Sequence, residues 1–291
     1  IEMIVSSLRG GLGNQMFIYA MVKAMALRNN VPFAFNLTTD FANDEVYKRK
    51  LLLSYFALDL PENKKLTFDF SYGNYYRRLS RNLGCHILHP SYRYICEERP
   101  PHFESRLISS KITNAFLEGY WQSEKYFLDY KQEIKEDFVI QKKLEYTSYL
   151  ELEEIKLLDK NAIMIGVRRY QESDVAPGGV LEDDYYKCAM DIMASKVTSP
   201  VFFCFSQDLE WVEKHLAGKY PVRLISKKED DSGTIDDMFL MMHFRNYIIS
   251  NSSFYWWGAW LSKYDDKLVI APGNFINKDS VPESWFKLNV R

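Results

Sequence analysis

The chain has 291 residues, of which 47% are hydrophobic, and its formal net charge at pH 7 is −2. This length predicts about two domains, and the near-neutral charge argues against nucleic acid as a partner. Because no run of about 18 or more apolar residues occurs, the sequence also predicts no membrane-spanning helix.

Cysteine spacing and the first residues of the chain indicate its compartment. The four cysteines, at positions 85, 96, 188 and 204, form no Cys-x-x-Cys pair, so we expect them to be reduced and mostly structural. The chain opens directly on a strand-like segment, residues 3–5, with no charged and apolar signal region before it. The expected location is therefore the cytoplasm.

The predicted elements begin with one strand-loop-helix-strand unit. A strand at 3–6 is followed by a glycine-rich loop at 9–15, a helix at 16–28 and a parallel strand at 31–35. Gly11 and Gly13 resemble the start of a dinucleotide fingerprint, but Met16 occupies its third glycine position. The residues therefore give only weak support to a dehydrogenase.

Residues 40–110 show no clear periodicity, and we expect irregular helices and loops there. Such a region could shape an acceptor pocket, and plain helical packing explains it equally well. A strand at 115–120 precedes Ser123, which could begin a helix. A charged helix at 141–160 is the predicted junction, which divides the chain into domains 1–155 and 156–291.

From residue 162 onward, strands alternate regularly with helices. The predicted strands are 162–167, 201–205, 222–225, 247–249 and 267–271, and the predicted helices are 181–196, 209–216, 236–244 and one that starts near residue 253. This alternation predicts a doubly wound parallel α/β sheet. In such sheets ligands bind beyond the carboxyl ends of the strands.

Polar residues follow three of these strands. They are Arg168 and Arg169, then Ser206 and Asp208, and finally Ser250, Asn251, Ser252 and Ser253. Paired guanidinium groups beside a serine-rich helix start suit a diphosphate, because main-chain N–H groups and the helix dipole attract anions there. Two structural alternatives stay open: an arginine pair that binds internal anionic partners, and an ordinary capped helix with its tryptophans in the core.

The acidic residues and histidines do not indicate a metal site. No Asp-x-Asp motif occurs, the paired aspartates are adjacent and so point apart, and the histidines lack metal-ligand spacing apart from the weak pair at 86 and 89. The sequence therefore predicts no metal, with arginines and a helix dipole left to neutralise a leaving diphosphate.

Five segments, in this order along nearly the whole chain, resemble the α-1,2-fucosyltransferases of glycosyltransferase family 11. They read GGLGNQMF (10–17), LEGYWQSEKYF (117–127), FSQDLEW (205–211), DMFLM (237–241) and ISNSSFYWWGAW (249–260). The resemblance implies a GT-B-like α/β fold of two Rossmann-like domains facing a central cleft. It also implies a metal-independent, inverting transfer of fucose from GDP-fucose to a galactoside-type acceptor.

The resemblance also assigns roles to residues and partners. Arg168 and Arg169 would stabilise the departing diphosphate, and Asp237 would lie near the base or ribose. Gly11, Gly13, Asn14 and Gln15 would face the cleft from the amino-terminal domain. The implied setting is cytoplasmic synthesis of glycan or surface polysaccharide, with peripheral membrane association if the acceptor is lipid-linked.

The chain departs from the family pattern around the arginine pair. Family members usually carry His-x-Arg-Arg-Gly-Asp, whereas this chain reads GVRRYQ at 166–171, so only the arginines carry over. Glu172 lies just downstream, where it could act as a general base or merely pair with an arginine. This departure keeps two alternatives open: a different nucleotide sugar, or a homologue that binds sugar nucleotides without catalysis.

Overall fold

The computed structural model describes residues 2–42, 44–45, 47–63, 92–169, 179–225 and 230–290, without the side chain of Thr39. The chain divides into two compact units, Ile1–Val139 and Ile140–Arg291. Each unit contains a wholly parallel sheet with helices between its strands. None of the helices in the described ranges is both long enough and apolar enough to cross a membrane.

The first unit contains a four-stranded sheet. Its elements are β1 Ile4–Ser7, α1 Leu12–Asn29, β2 Phe33–Asn36, α2 Thr39–Ala42, β3 Arg93–Cys96, α3 Arg106–Ser109, β4 Ala115–Glu118 and α4 Lys131–Asp137, with short 3-10 helices at Leu53–Tyr55, Glu124–Tyr126 and Leu128–Tyr130. The strand order is β2-β1-β4-β3. All of β1 and most of α1 are buried, because α1 is apolar on nearly every face and packs against β1.

The second unit contains a six-stranded sheet. Its elements are α5 Tyr146–Leu158, a 3-10 helix at Asp159–Asn161, β5 Ala162–Val167, α6 Asp183–Ala194, β6 Val201–Ser206, α7 Leu209–Leu216, β7 Val222–Leu224, α8 Asp231–Met241, β8 Asn246–Ile249, α9 Ser253–Trp260, β9 Leu268–Pro272 and β10 Phe286–Leu288. The strand order is β10-β9-β8-β5-β6-β7. This confirms the predicted doubly wound parallel sheet, in which the direction of strand order reverses between β5 and β8.

The boundary between the units precedes α5, whereas the sequence analysis placed it after residue 155. The carboxylate of Asp236, in α8, explains the difference. It accepts hydrogen bonds from the main-chain N–H of Glu145 at 3.2 Å and from Ser148 Oγ at 3.0 Å, and it pairs with Lys142. These contacts attach the start of α5 to the second unit.

Several elements begin elsewhere than predicted. Helix α1 starts at Leu12 rather than at residue 16, so most of the predicted glycine-rich loop forms its first turn. Helix α8 starts at Asp231 rather than at residue 236, because Asp230 caps it by accepting a hydrogen bond from the N–H of Gly233 at 2.7 Å. Strands β3 and β10 were not predicted.

Candidate active site

The carboxyl ends of β5 and β8 lie side by side in the second unit. Gly166 of β5 pairs with Ile249 of β8, and the N–H of Ser250 donates to the Gly166 carbonyl at 3.1 Å. This is the point where the strand order reverses, which is where doubly wound sheets bind ligands. Arg168, just after β5, therefore lies next to the polar turn at residues 250–253.

Arg168 contacts that turn directly. Its Nη1 donates to the main-chain carbonyl of Asn251 at 3.0 Å, and Asn251 Nδ2 donates to the carbonyl of Gly179 at 2.6 Å. The Asn251 side chain is buried. Asn251 thus joins the polar turn to the end of β5 and to the segment at Gly179. Arg168 stays partly accessible beside this junction.

Helix α9 begins at this turn without a side-chain cap. Ser252 occupies the N-cap position and its carbonyl accepts from the N–H of Trp256 at 3.0 Å, but its hydroxyl accepts no capping hydrogen bond. The Ser252 side chain therefore does not cap the helix. Ser250 and Asn251 are buried, whereas Ser252 and Ser253 are partly accessible. An anion at this helix start would meet main-chain N–H groups and the positive end of the dipole.

Arg169 lies over an indole ring. Its guanidinium carbon is 4.4 Å from the centroid of the Trp211 ring, and its Nη1 donates to the carbonyl of Leu181 at 3.3 Å. The same nitrogen is 3.6 Å from a carboxylate oxygen of Glu182, a side chain that is 72% exposed. A carboxylate so exposed contributes little to holding the arginine.

Ser206 and Asp208 position helix α7. Ser206 Oγ accepts from the N–H of Asp208 at 3.0 Å, and Asp208 Oδ1 accepts from the N–H of Trp211 at 2.9 Å as the helix cap. These polar atoms are engaged within the protein. The structure therefore gives both residues a role in orienting Trp211, and their contact with the nucleotide stays a prediction.

Gly166 allows α9 to approach β5 closely. A Cβ atom on Gly166 would lie 2.4 Å from Cγ of Tyr255, so only glycine fits under this ring. The Tyr255 hydroxyl donates to the carbonyl of Phe205 at 3.1 Å, with the carbonyl of Val167 at 3.3 Å. Tyr255 thus joins the ends of β5 and β6 from the first turn of α9.

Two buried hydroxyl groups lie at the same end of the sheet. Tyr186 of α6 and Ser250 are both fully buried, and neither hydroxyl has a hydrogen-bond partner with good geometry among the described residues. Burial raises the pKa of Tyr186 well above its usual range, although the nearby Ser250 hydroxyl and the main chain of Arg168 oppose that rise. The two hydroxyls are thus near each other but poorly aligned, an arrangement that a buried water molecule would satisfy.

In the first unit, Gln15 joins two loops. Its Nε2 donates to the carbonyls of Gly10 at 2.9 Å and Lys50 at 2.8 Å, and its Oε1 accepts from the N–H of Leu52 at 3.0 Å. The side chain is fully buried. The structure thus gives Gln15 a positioning role, because its amide is bonded to the main chain, and its contact with a ligand stays a prediction.

The other predicted residues of this unit lie at the start of α1. Gly11 is the N-cap, Gly13 is buried in the first turn, and Asn14 Oδ1 accepts from Gln122 Nε2 at 2.8 Å. Gly10 has a φ of 74°, which favours glycine. Gly11 and Asn14 are partly accessible, so they remain the candidates for ligand contact here.

A buried carboxylate supports the loop that follows β4. Glu97 accepts from the main-chain N–H groups of Tyr120 and Trp121, both at 2.9 Å. Burial raises the pKa of Glu97, and these two hydrogen bonds oppose that rise. Trp121 has a φ of 55°, which is uncommon for a tryptophan, and Glu97 stabilises that conformation.

Comparison with known protein families identifies the chain. The model described as "Glycosyl transferase family 11" matches residues 86–289, which is more than half of the sequence. The chain belongs to glycosyltransferase family 11.

Two Escherichia coli proteins are similar to this family 11 glycosyltransferase. An alpha-1,2-colitosyltransferase is 30% identical over 320 aligned residues, which cover 99% of both chains. The O-antigen biosynthesis glycosyltransferase WbnK is 36% identical over 114 residues, covering 38% of this chain and 37% of its own. The first relative extends the likeness over both units.

Solved structures support the fold of this glycosyltransferase. A mutant of Arabidopsis thaliana FUT1 in complex with GDP superimposes with a TM-score of 0.52 at 11% identity, covering 93% of this chain and 70% of that chain. An identity this low is evidence about the fold alone. Together with the parallel sheets of the two units, this likeness shows a GT-B-like fold, as the family resemblance implied.

The ligand contacts of all the predicted site residues remain predictions, and two of these residues, Glu172 and Asp237, have not yet been placed. Glu172 lies outside the described residues. Asp237 is buried in α8, next to the Asp236 that binds the start of α5. In the described part of the chain, no three His, Cys, Asp or Glu side chains converge as a metal site requires.

Sequence reasoning missed three residues at the site of this glycosyltransferase. Trp211, Tyr186 and Tyr255 contact or approach the arginine pair and the polar turn, although none stands out as polar or charged. Trp211 and Tyr255 do occur in two of the segments that carry the family resemblance. Aromatic residues within these otherwise polar segments could have been recognised as part of the site rather than only of the core.

Proposed function

We propose that this chain transfers a deoxyhexose from a GDP-sugar, most specifically fucose from GDP-fucose, to a galactoside in an α-1,2 linkage. The arrangement that supports the proposal is Arg168 beside the start of α9 at the switch point of the second sheet, with Arg169 next to it in the chain. Cationic side chains and main-chain donors of this kind suit a nucleoside diphosphate. Family membership and the likeness to an α-1,2-transferase support the choice of reaction.

The proposed mechanism is a direct displacement. The acceptor hydroxyl oxygen bonds to the anomeric carbon as the bond from that carbon to the β-phosphate oxygen breaks, and the hydroxyl proton leaves to a base. Arg168, Arg169 and the start of α9 stabilise the negative charge that develops on the departing GDP. Because GDP-fucose carries a β-linked sugar, an α-linked product corresponds to inversion.

We also propose that the reaction needs no metal ion. Two guanidinium groups and a helix dipole supply the positive charge that a divalent cation would otherwise bring to the diphosphate.

A second candidate donor is GDP-colitose, because the relative that aligns over 99% of both chains is named a colitosyltransferase. Colitose differs from fucose only by lacking the 3-hydroxyl group. A donor site that hydrogen-bonds this hydroxyl would reject the deoxy sugar strongly, whereas a site that only packs against it would discriminate weakly. GDP-colitose is therefore the alternative donor.

The biological setting is proposed from the relatives. One is named for O-antigen biosynthesis, which supports an acceptor that belongs to a growing surface polysaccharide. We place the reaction in the cytoplasm, where nucleotide sugars are made, with peripheral membrane contact if that acceptor is lipid-linked.

The test uses the purified chain with GDP-fucose, GDP-colitose and GDP-mannose, each with and without galactose-terminated acceptors. We expect acceptor-dependent GDP release with one of the first two donors and an α-1,2 linkage in the product by NMR. Turnover with GDP-mannose alone would refute the donor class. GDP binding without turnover across a broad acceptor panel would favour the non-catalytic alternative.

A further inference from the structure

Trp211 connects the site to helix α7. The Arg169 guanidinium carbon lies 4.4 Å from its ring centroid, the His215 ring stacks on it at 4.7 Å and 15°, and the Tyr186 ring meets it edge-on at 6.0 Å. These three partners come from the end of β5, from α7 and from α6. The indole is thus packed from several directions while Arg169 rests on it.

Residues before and after Trp211 in α7 fix its orientation. Its N–H donates to the capping carboxylate of Asp208 at 2.9 Å, and Asp208 is itself held by Ser206. One turn later, Nδ1 of His215 lies 3.7 Å from a carboxylate oxygen of Asp183 on α6. A ring held in this way offers a fixed surface to whatever lies over it.

Within the part of the chain that the structure describes, Arg169 has no other strong anchor. A neutral carbonyl at 3.3 Å and the largely exposed carboxylate of Glu182 at 3.6 Å are the polar contacts described for it. A cation–π contact uses no N–H group, so it restrains a guanidinium while leaving its donors for a ligand. A buried ion pair would restrain the arginine equally well but would consume those donors.

We propose that Trp211 is a positioning residue, which holds the Arg169 guanidinium in place to bind the diphosphate of the donor. This inference rests on the proposed function. Trp211 itself touches no reacting atom in this account, and its contribution passes entirely through Arg169. The contribution depends on an aromatic face, so phenylalanine preserves most of it and leucine removes it.

The test is a double-mutant cycle with Trp211→Leu, Arg169→Ala and the double variant, measured by GDP titration calorimetry and by donor kinetics. Trp211→Leu should weaken GDP binding by about 3- to 10-fold, as expected for loss of a partly buried cation–π contact. In the Arg169→Ala background the same substitution should cost nothing further. Trp211→Phe, in the same position, is the matched control and should stay close to wild type.

A merely structural role gives a different pattern. Equal losses of GDP affinity from Trp211→Leu in both backgrounds would overturn the inference, as would an equal loss in Trp211→Phe. If the wild-type chain bound no GDP at all, the proposed function would fail before Trp211 was tested. The two failures are thus distinguishable.

A measurement on the wild-type chain covers the case in which Trp211→Leu does not fold. The Nε–H resonance of Arg169, assigned by its loss in Arg169→Lys, should be shifted upfield by the ring current of Trp211, both before and after GDP is added. A resonance at the position of an exposed arginine in either state would contradict the proposal.

Discussion

Arg168 donates a hydrogen bond from Nη1 to the main-chain carbonyl of Asn251, and the 3.0 Å contact joins the end of β5 to the turn before α9. The two residues are far apart in the sequence, and the parallel pairing of β5 with β8 brings them together. The Arg168 side chain stays partly accessible at this point. The contact thus presents a cation beside a helix start that attracts anions.

Removal of the Arg168 guanidinium should slow catalysis strongly. Arg168→Ala is expected to lower turnover by about 10²- to 10³-fold, the usual loss when one donor to a developing negative charge is removed. Arg223→Ala is the matched control, because this arginine pairs at 3.0 Å with Glu154 and both side chains are exposed. Steady-state kinetics on both variants test the assignment, and near wild-type turnover in Arg168→Ala would refute it.

Gly166→Ala should destabilise the second unit. The new methyl group would approach Cγ of Tyr255 to 2.4 Å, which forces α9 away from β5 at an expected cost of about 1–3 kcal/mol in the free energy of unfolding. Lys196→Ala is the stability control, since the Lys196 side chain is exposed. Urea unfolding of the two variants measures the difference, and equal stabilities would contradict the predicted clash.

Glu172→Gln separates two roles for that residue. If Glu172 is the general base, turnover should fall by about 10²-fold or more with little change in donor affinity. If it positions an arginine, donor affinity should fall at unchanged turnover. Steady-state kinetics with GDP calorimetry distinguish these outcomes, and unchanged values for both would exclude both roles.

Chelation should leave activity largely intact, because the proposed site neutralises the diphosphate with arginines and a helix dipole. The measurement is the initial rate after dialysis against EDTA, with a manganese-dependent glycosyltransferase treated in parallel as control. Loss of turnover that manganese restores would show that the site binds a metal ion through carboxylate ligands.

The second unit was largely predictable because its strands are continuous buried runs rich in aliphatic and aromatic residues. β5 was predicted at its observed bounds, and so was α7, whose start Asp208 caps. The edge strand β10 was missed since it is short and partly exposed, and its pairing with β9 defines it. Helix α1 was predicted to start late, because glycine at an N-cap is a weak signal beside serine or aspartate.

The sequence predicted only those parts of the site that directly follow the ends of strands. Arg168 and the turn at 250–253 were expected to converge because the ends of parallel strands share one edge of the sheet. That Ser206 and Asp208 bond within the protein, and that Trp211 lies under Arg169, depends on side-chain packing between α6, α7 and β5. Such contacts have no periodic signature in the sequence.

The most direct test of the central claim is a crystal structure of the chain with GDP. We expect the β-phosphate to lie within hydrogen-bond distance of the Arg168 and Arg169 guanidinium groups and of main-chain N–H groups at the start of α9. A diphosphate bound away from both arginines, or a nucleotide bound only in the first unit, would contradict it.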